Sequence, residues 1–327
     1  MKRFWTILMW TVVMLTVYSC GQSKHAPVSV IFDTDMGPDI DDVGALTILH
    51  AMADSGEVRI LATLASNQHE YSVPCIDLIN TYYRRPDLPT GAPLTGPNQG
   101  AWPVKNWTET FTAHFPHRVK ATADAPDAVQ VYRRILAGEP DTSVVVVTVG
   151  FLTNLAALLQ SPPDQYSSLN GKQLVSQKVK HLVSMAGLFP HGSREYNVMT
   201  DTVASGIVFD RWPTRIILSG AEIGGKVRTG KRLIAPERTL TPAKDVYMIC
   251  MPNNGTWASF DQTAVLIAVR GVAQYFNTVK GQIKLETNGT TSWQDKPDGK
   301  HEYLTFKMPP EELATVIEGL MMHEPIK

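Results

Sequence analysis

Cysteine is scarce in this 327-residue chain: three residues, Cys20, Cys75 and Cys250. That count excludes a disulfide scaffold and leaves open a single bridge between Cys75 and Cys250. Cys75 falls in an apolar helical pattern and reads as core. Net charge is equally scarce, with 30 Lys and Arg against 31 Asp and Glu and no basic stripe, which excludes the electrostatic footprint of a nucleic-acid binder. The chain also lacks low-complexity linkers, internal repeats and long runs of one charge, so nothing in its composition divides it. After removal of a leader, about 300 residues remain, enough to bury a sizeable core. That length nominally suggests two domains, but α/β folds often exceed this prior.

The one long apolar run, Phe4 to Tyr18, is too short to cross a bilayer, which takes roughly 20 residues. Lys2 and Arg3 precede it and Val17-Tyr-Ser-Cys20 follows, the layout of a bacterial secretory signal. The terminal cysteine resembles a lipobox, which implies cleavage before Cys20 and lipidation of its thiol. The expected organisation is a leader over residues 1–20, a tether over 21–26 and one domain over 27–327. The protein is then exported, periplasmic or at the cell surface, and touches a membrane only through lipid at Cys20.

Aspartate is abundant in one place. Residues 33–42 read D-T-D-M-G-P-D-I-D-D, five aspartates in ten residues, directly after the apolar run Val28 to Phe32. A strand ends at Asp33, Gly37 and Pro38 punctuate a loop, and helical spacing begins at Asp42. The acids therefore cluster at the carboxyl end of a buried strand. Two like charges ~4 Å apart repel by about 4 kcal/mol at an effective dielectric of ~20. Such a cluster must be protonated, splayed into water or neutralised, and a hard divalent cation with oxygen ligands is the simplest solution. A solvated acidic turn is the alternative, and it fits poorly between an apolar strand and an apolar helix. An EF-hand is excluded, because no Glu stands at the twelfth position and a strand enters the loop.

Strand-like and helix-like segments alternate along the rest of the chain. Strands are expected at Val58–Ala65, Ser143–Thr148, Val179–Met185 and Arg215–Leu218. Helices are expected near Ser72–Arg84, Ala128–Ala137, Leu155–Gln160 and Thr202–Phe209, then at Asp261–Val279 and Pro309–Met321. The unbroken valines of residues 144–147 suit a strand buried on both faces. The expected fold class is α/β, with a mainly parallel central sheet flanked by helices on both faces and a Rossmann-like core. Ligands in such folds bind at the carboxyl ends of strands, where the acidic loop lies.

Four further segments place polar residues in apolar contexts at strand ends or helix starts: Ala65-Ser-Asn67, Gly150-Phe-Leu-Thr-Asn154, Glu195-Tyr-Asn197 after Met185-Ala-Gly187, and Ser259-Phe-Asp-Gln-Thr-Ala264. In isolation, Asn154 reads as a helix cap. Glu195 and Asn197 read as surface loop, Asn67 as a turn residue, and Asp261 as an ordinary helix N-terminal acid. Taken in order with the aspartate cluster, they resemble the inosine–uridine-preferring nucleoside hydrolase family from Val28 to the last helix. The resemblance implies a calcium ion held by Asp35, Asp42, the Thr153 carbonyl and Asp261. It makes Asp35 the general base for a metal-bound water. Asp41, Asn67, Met185, Glu195, Asn197 and Asp261 would contact the nucleoside, and Asp33 would orient the ligands behind them. A homodimer or homotetramer is the implied assembly. Family members commonly place three residues between the second aspartate and the Asp-Asp pair. Here five intervene, Met36 to Ile40, which leaves Asp39 without an assigned part.

The implied chemistry is physically coherent. N-glycosidic cleavage passes through an oxocarbenium-like sugar and needs negative charge near the ring and an activated water. A cation lowers the pKa of that water and positions it, and a neighbouring carboxylate accepts its proton. Asp, Asn and Glu suit the vicinal diol of ribose. One departure concerns the leaving group. Many members carry His immediately before the last aspartate, where this chain has Phe260. Phe260 and Trp257 are the candidates for stacking on the base, His69 and His191 for proton donation. Two other readings keep the same residues: a hydrolase of another N- or O-glycoside, and a lipid-anchored sugar- or nucleoside-binding protein without turnover.

Overall fold

The computed structural model describes residues 26–326 apart from residues 103 and 254. The expected leader and Cys20 lie outside the described residues. The strands are β1 (Val28–Thr34), β2 (Val58–Ala65), β3 (Thr90–Gly91), β4 (Val144–Thr148), β5 (Val179–Met185), β6 (Arg215–Ser219), β7 (Arg228–Thr229), β8 (Trp257–Ala258), β9 (Phe276–Leu285), β10 (Thr291–Asp295) and β11 (His301–Phe306). The helices are α1 (Asp41–Asp54), α2 (Ser72–Tyr82), α3 (Trp107–His114), α4 (Ala128–Gly138), α5 (Thr153–Gln160), α6 (Gly171–Lys178), α7 (Tyr196–Thr200), α8 (Thr202–Arg211), α9 (Ala221–Gly224), α10 (Pro242–Cys250), α11 (Phe260–Arg270) and α12 (Pro310–Met321).

Nine strands form one sheet in the order β10-β9-β11-β6-β5-β4-β1-β2-β3, parallel from β11 through β3. The valine run of β4 is fully buried because helices cover both faces. One face packs Phe32, Val145, Val147 and Val183 against α1, α2, α11 and α12. The other packs Ile31, Val144, Val146 and Leu182 against α4, α5, α6 and α8. From β1 the chain winds outward through β2 to β3, then returns to place β4 on the opposite side of β1. The crevice at the carboxyl ends of β1 and β4 is therefore a topological switch point, the standard ligand position of an open α/β sheet.

One expectation is corrected. The helix expected over Asp261–Val279 ends at Arg270 as α11, and Phe276 begins β9. Gly271 adopts φ +77°, a left-handed conformation that stops the helix without the penalty a side chain would incur. Beyond it, β9 pairs antiparallel with both β10 and β11, a three-stranded extension that apolar helical spacing had masked. Cys75 is buried in α2 and Cys250 in α10, and both are free thiols, so the bridge left open by the sequence is not formed.

Candidate active site

The acidic loop between β1 and α1 is pinned from three sides. Ser72 donates its hydroxyl to the Met36 carbonyl, the Trp107 indole donates to Gly37 O at 3.0 Å, and the Trp102 amide donates to Pro38 O at 2.6 Å. Gly37 sits at φ +140°, which favours glycine, and lets the loop turn back over the strand end. Gly150, after β4, is required for a different reason: a Cβ there would come within 2.2 Å of the Asp35 nitrogen. The two strand-end loops thus touch backbone to backbone.

Asp39, Asp41 and Asp42 each bring a carboxylate oxygen within 4.8 Å of the others, so Asp39 joins the pair that the sequence had set apart from it. Asp41 Oδ2 accepts the Asp261 amide at 3.0 Å, which ties the first turn of α11 to the first turn of α1. Asp42 accepts a short hydrogen bond from Thr34 Oγ1, while its other oxygen is buried without a partner. Among the described residues, none of Asp35, Asp39, Asp41, Asp42 and Asp261 is paired with a basic side chain. Burial pushes all five carboxyls up, and for Asp35, Asp41, Asp42 and Asp261 the neighbouring aspartates push further. An orphaned buried carboxylate oxygen among uncompensated oxygen donors fits a hard divalent cation.

Behind this floor, Asp33 accepts hydrogen bonds from Tyr132 Oη at 2.9 Å and from Asn154 Nδ2 at 3.1 Å. Burial raises its carboxyl to about 7. Asn154 does not cap α5; its amide joins Asp33 to the Ala65 carbonyl and so fixes the Thr153 turn. The Thr153 hydroxyl is taken by Asp201 at 2.6 Å. The part assigned to Thr153 from the sequence concerns its main-chain carbonyl, and its hydroxyl is committed to Asp201.

A cavity of about 630 Å³ opens above the floor. Asp35, Asp39, Asp41 and Asp261 line it together with Met185, Glu195 and Asn197. Phe260, Trp102, Leu188 and Ala221 add apolar lining. The Glu195 carboxylate receives the backbone amides of Gly187, Asn197 and Val198, at 3.0, 2.9 and 3.2 Å. It is held rigidly at the start of α7. The Asn197 amide nitrogen donates to the Val149 and Met185 carbonyls, at 2.9 and 3.2 Å, so the tips of β4 and β5 set its orientation.

The structure does not bring every sequence candidate to the cavity wall. Asn67 donates to the Asp35 and Gln99 carbonyls and accepts the Gln99 and His69 amides, so it fastens the loop before α3 to the acidic loop. His69 is half-buried, bonded to Thr108 Oγ1 at 2.9 Å, and His191 is exposed on a loop; neither lines the cavity. Trp257 packs edge-on against Trp102, ring centroids 5.3 Å apart. Trp102, Trp107, Arg194 and Tyr196 were missed by sequence reasoning. A signal for Trp102 existed: the described residues between β3 and α3 carry no helix or strand, and ordered loops of about 12–15 residues are uncommon unless functional.

Fold and site together define a carboxylate-lined pocket at the switch point of a mainly parallel α/β sheet, with rigidly held polar groups and aromatic rings in its lining. The chain belongs to the inosine-uridine preferring nucleoside hydrolase family, whose sequence model matches residues 30–306. An inosine-uridine preferring nucleoside hydrolase of Leishmania major is 26% identical over 195 residues, 56% of this chain and 57% of that relative's length. Among solved structures, an inosine-guanosine nucleoside hydrolase superposes with a TM-score of 0.68 at 19% identity, covering 91% of this chain and 99% of the other. A purine-preferring ribonucleoside hydrolase from Gardnerella vaginalis gives 0.65 at 18% identity, covering 90% and 99%. At these identities the superpositions establish the fold.

Proposed function

We propose that the protein hydrolyses the N-glycosidic bond of ribonucleosides to free base and ribose, using a calcium ion held by the acidic loop. Family membership supports the reaction class. The observation that carries the reading is the floor itself, where Asp35, Asp41 and Asp261 lie beneath a cavity walled by Glu195 and Asn197. Asp35, Asp42, Asp261 and the Thr153 carbonyl would hold the ion, and Asp39, whose carboxylate lies beside those of Asp41 and Asp42, would be a further oxygen donor. When bound, the ion supplies positive charge and Lewis acidity next to the attacking water.

The chain's own residues account for the remaining steps. Asp35 accepts the water's proton. Asp41, Glu195 and Asn197 hold the ribose hydroxyls, all three fixed by backbone bonds before substrate arrives. The floor carboxylates stabilise the positive charge that develops on the sugar ring. Among the described residues no histidine lines the cavity, so the departing base meets Phe260 and Trp102 and is activated by stacking. Phe260 also favours a second reading, in which the same metal and sugar site cleaves another N- or O-glycoside.

Release of base from a nucleoside panel, measured with added calcium and with chelator, tests the proposal. Calcium-dependent release is the expected result. No release from any nucleoside in calcium would refute the substrate assignment.

A further inference from the structure

Thr34 is the last residue of β1 and is completely buried. The sheet fixes its backbone: the Thr34 carbonyl accepts the Ser66 amide at 2.8 Å, and Thr34 stands in register with Ala65 of β2. A β-branched side chain has restricted freedom at χ1, so the strand also aims the hydroxyl. A threonine hydroxyl has one proton to give and two lone pairs to receive with. Oγ1 receives the Met36 amide at 3.2 Å and gives its proton to Asp42 Oδ1.

That second bond closes the acidic loop at its base. Thr34 ends the strand and Asp42 lies in the first turn of α1, eight positions further on. Five residues separate Asp35 from the Asp41-Asp42 pair, so covalent connection alone leaves the path to Asp42 loosely defined. Helix capping does not tighten it, because Ile40 at the N-cap makes no side-chain bond to α1. The Thr34 hydroxyl does, by tying the helix start to the strand end. With Oδ1 so occupied, Asp42 keeps one oxygen, Oδ2, which is buried and has no partner. The carboxyls beside it are those of Asp39 and Asp261.

We propose that Thr34 is a positioning residue for the cation: by holding Oδ1 of Asp42 it restricts Asp42 to one ligating oxygen, Oδ2, and fixes where that oxygen stands. This deepens the calcium reading given above and rests on it. Thr34 does not line the cavity and acts only through Asp42. Without the hydroxyl, the Asp42 carboxylate could turn between its neighbours, and the cost of ordering it would fall on cation binding.

The test titrates calcium into chelator-stripped full-length protein by calorimetry and, in parallel, follows nucleoside hydrolysis against free calcium. Thr34→Val keeps the shape of the side chain and removes the hydroxyl. Calcium should then bind about 10–100-fold more weakly, the usual loss when a group that orients a metal ligand is removed. Thr34→Ser retains the hydroxyl and should restore most of that affinity. At saturating calcium the KM for nucleoside in Thr34→Val should match the wild type, because Asp42 is assigned to the ion and not to the sugar. A purely structural role would lower Tm in chelator and leave the calcium dissociation constant unchanged. Thr34→Ala, with the same expected loss, replaces Thr34→Val if the valine variant does not fold. If the wild type binds calcium and the variants lacking the hydroxyl bind it equally well, or if Thr34→Ser is as weak as they are, this inference falls and the calcium reading stands. If the wild type takes up no calcium, the calcium reading falls and this inference falls with it.

Discussion

Stripping divalent cations from the protein should make its stability fall as pH rises, and restoring calcium should reverse the trend. Asp39, Asp41 and Asp42 place carboxylate oxygens within 4.8 Å of one another. At an effective dielectric of ~20, each pair at that separation repels by about 3.5 kcal/mol, so three ionised groups cost about 10 kcal/mol. A whole domain is stable by only about 5–15 kcal/mol. The metal-free fold can therefore persist at neutral pH only by holding protons, in line with the upward shifts of all three carboxyls. A carboxyl raised in the folded state contributes stability that is complete below its unfolded value and is lost as pH climbs through the folded one. A cation bound only by the native state acts in the opposite sense. At a hundred times its dissociation constant it adds about 2.7 kcal/mol, which for a chain of this size raises Tm by roughly 5 °C.

The assay is thermal unfolding with calcium or chelator from about pH 7.5 to about pH 9, a window above the ordinary titration of histidine. The Tm gap between the two conditions should widen steadily with pH. An Asp39→Asn/Asp42→Asn variant should lose both the alkaline decline of the metal-free protein and the response to calcium. A gap that stays constant with pH, or a double variant that responds to calcium like the wild type, would refute the assignment of these carboxylates to a cation.

Three other outcomes are expected. Asp35→Asn should lower kcat by about 10²–10⁴, the usual contribution of a general base, with circular dichroism showing a folded protein; a near-normal rate would remove Asp35 from that role. Phe260→His should change the order of preference among leaving bases, because the ring lines the cavity; an unchanged kcat/KM profile would place the base elsewhere. His50 is buried, stacked on Tyr83, donating through Nε2 to Asn80 Oδ1 at 2.9 Å with Arg85 facing Nδ1, and burial lowers its pKa to about 3. Its contribution is complete above pH ~6.5 and lost as pH falls, so by pH ~4 it removes about 3 kcal/mol; denaturant titrations of His50→Gln should show that much less acid destabilisation.

The sheet and the site floor were legible because buried parallel strands and strand-end aspartates leave local marks. Val144 to Val147 can be little else than a strand covered on both faces, and β4 is one. The acidic cluster announced a charge problem that any fold must solve. The antiparallel extension was not legible. Its first strand follows a buried apolar helix after only five residues, and the stop signal was the single left-handed Gly271. Asn67 illustrates a different limit: its type and position suit a sugar ligand, but the partners that saturate its amide come from Gln99, some thirty residues away in sequence. No local pattern records a hydrogen bond of that kind.

Asp39 was opaque for a reason the geometry makes plain. Counting along the chain, the two additional residues between Asp35 and the Asp41-Asp42 pair look like slack in a loop, and Asp39 falls within them. The loop is not slack, because Met36, Gly37 and Pro38 each surrender a carbonyl to Ser72, Trp107 or Trp102. Two of those anchors come from the long segment leading into α3, so the segment that walls the cavity also sets the path of the acidic loop. Held in that way, the longer loop turns Asp39 inward beside Asp41 and Asp42 instead of letting it swing into water. The additional length thus delivers an additional oxygen donor. It also ties the acidic loop to Trp102 in the cavity lining, through the hydrogen bond from the Trp102 amide to Pro38 O.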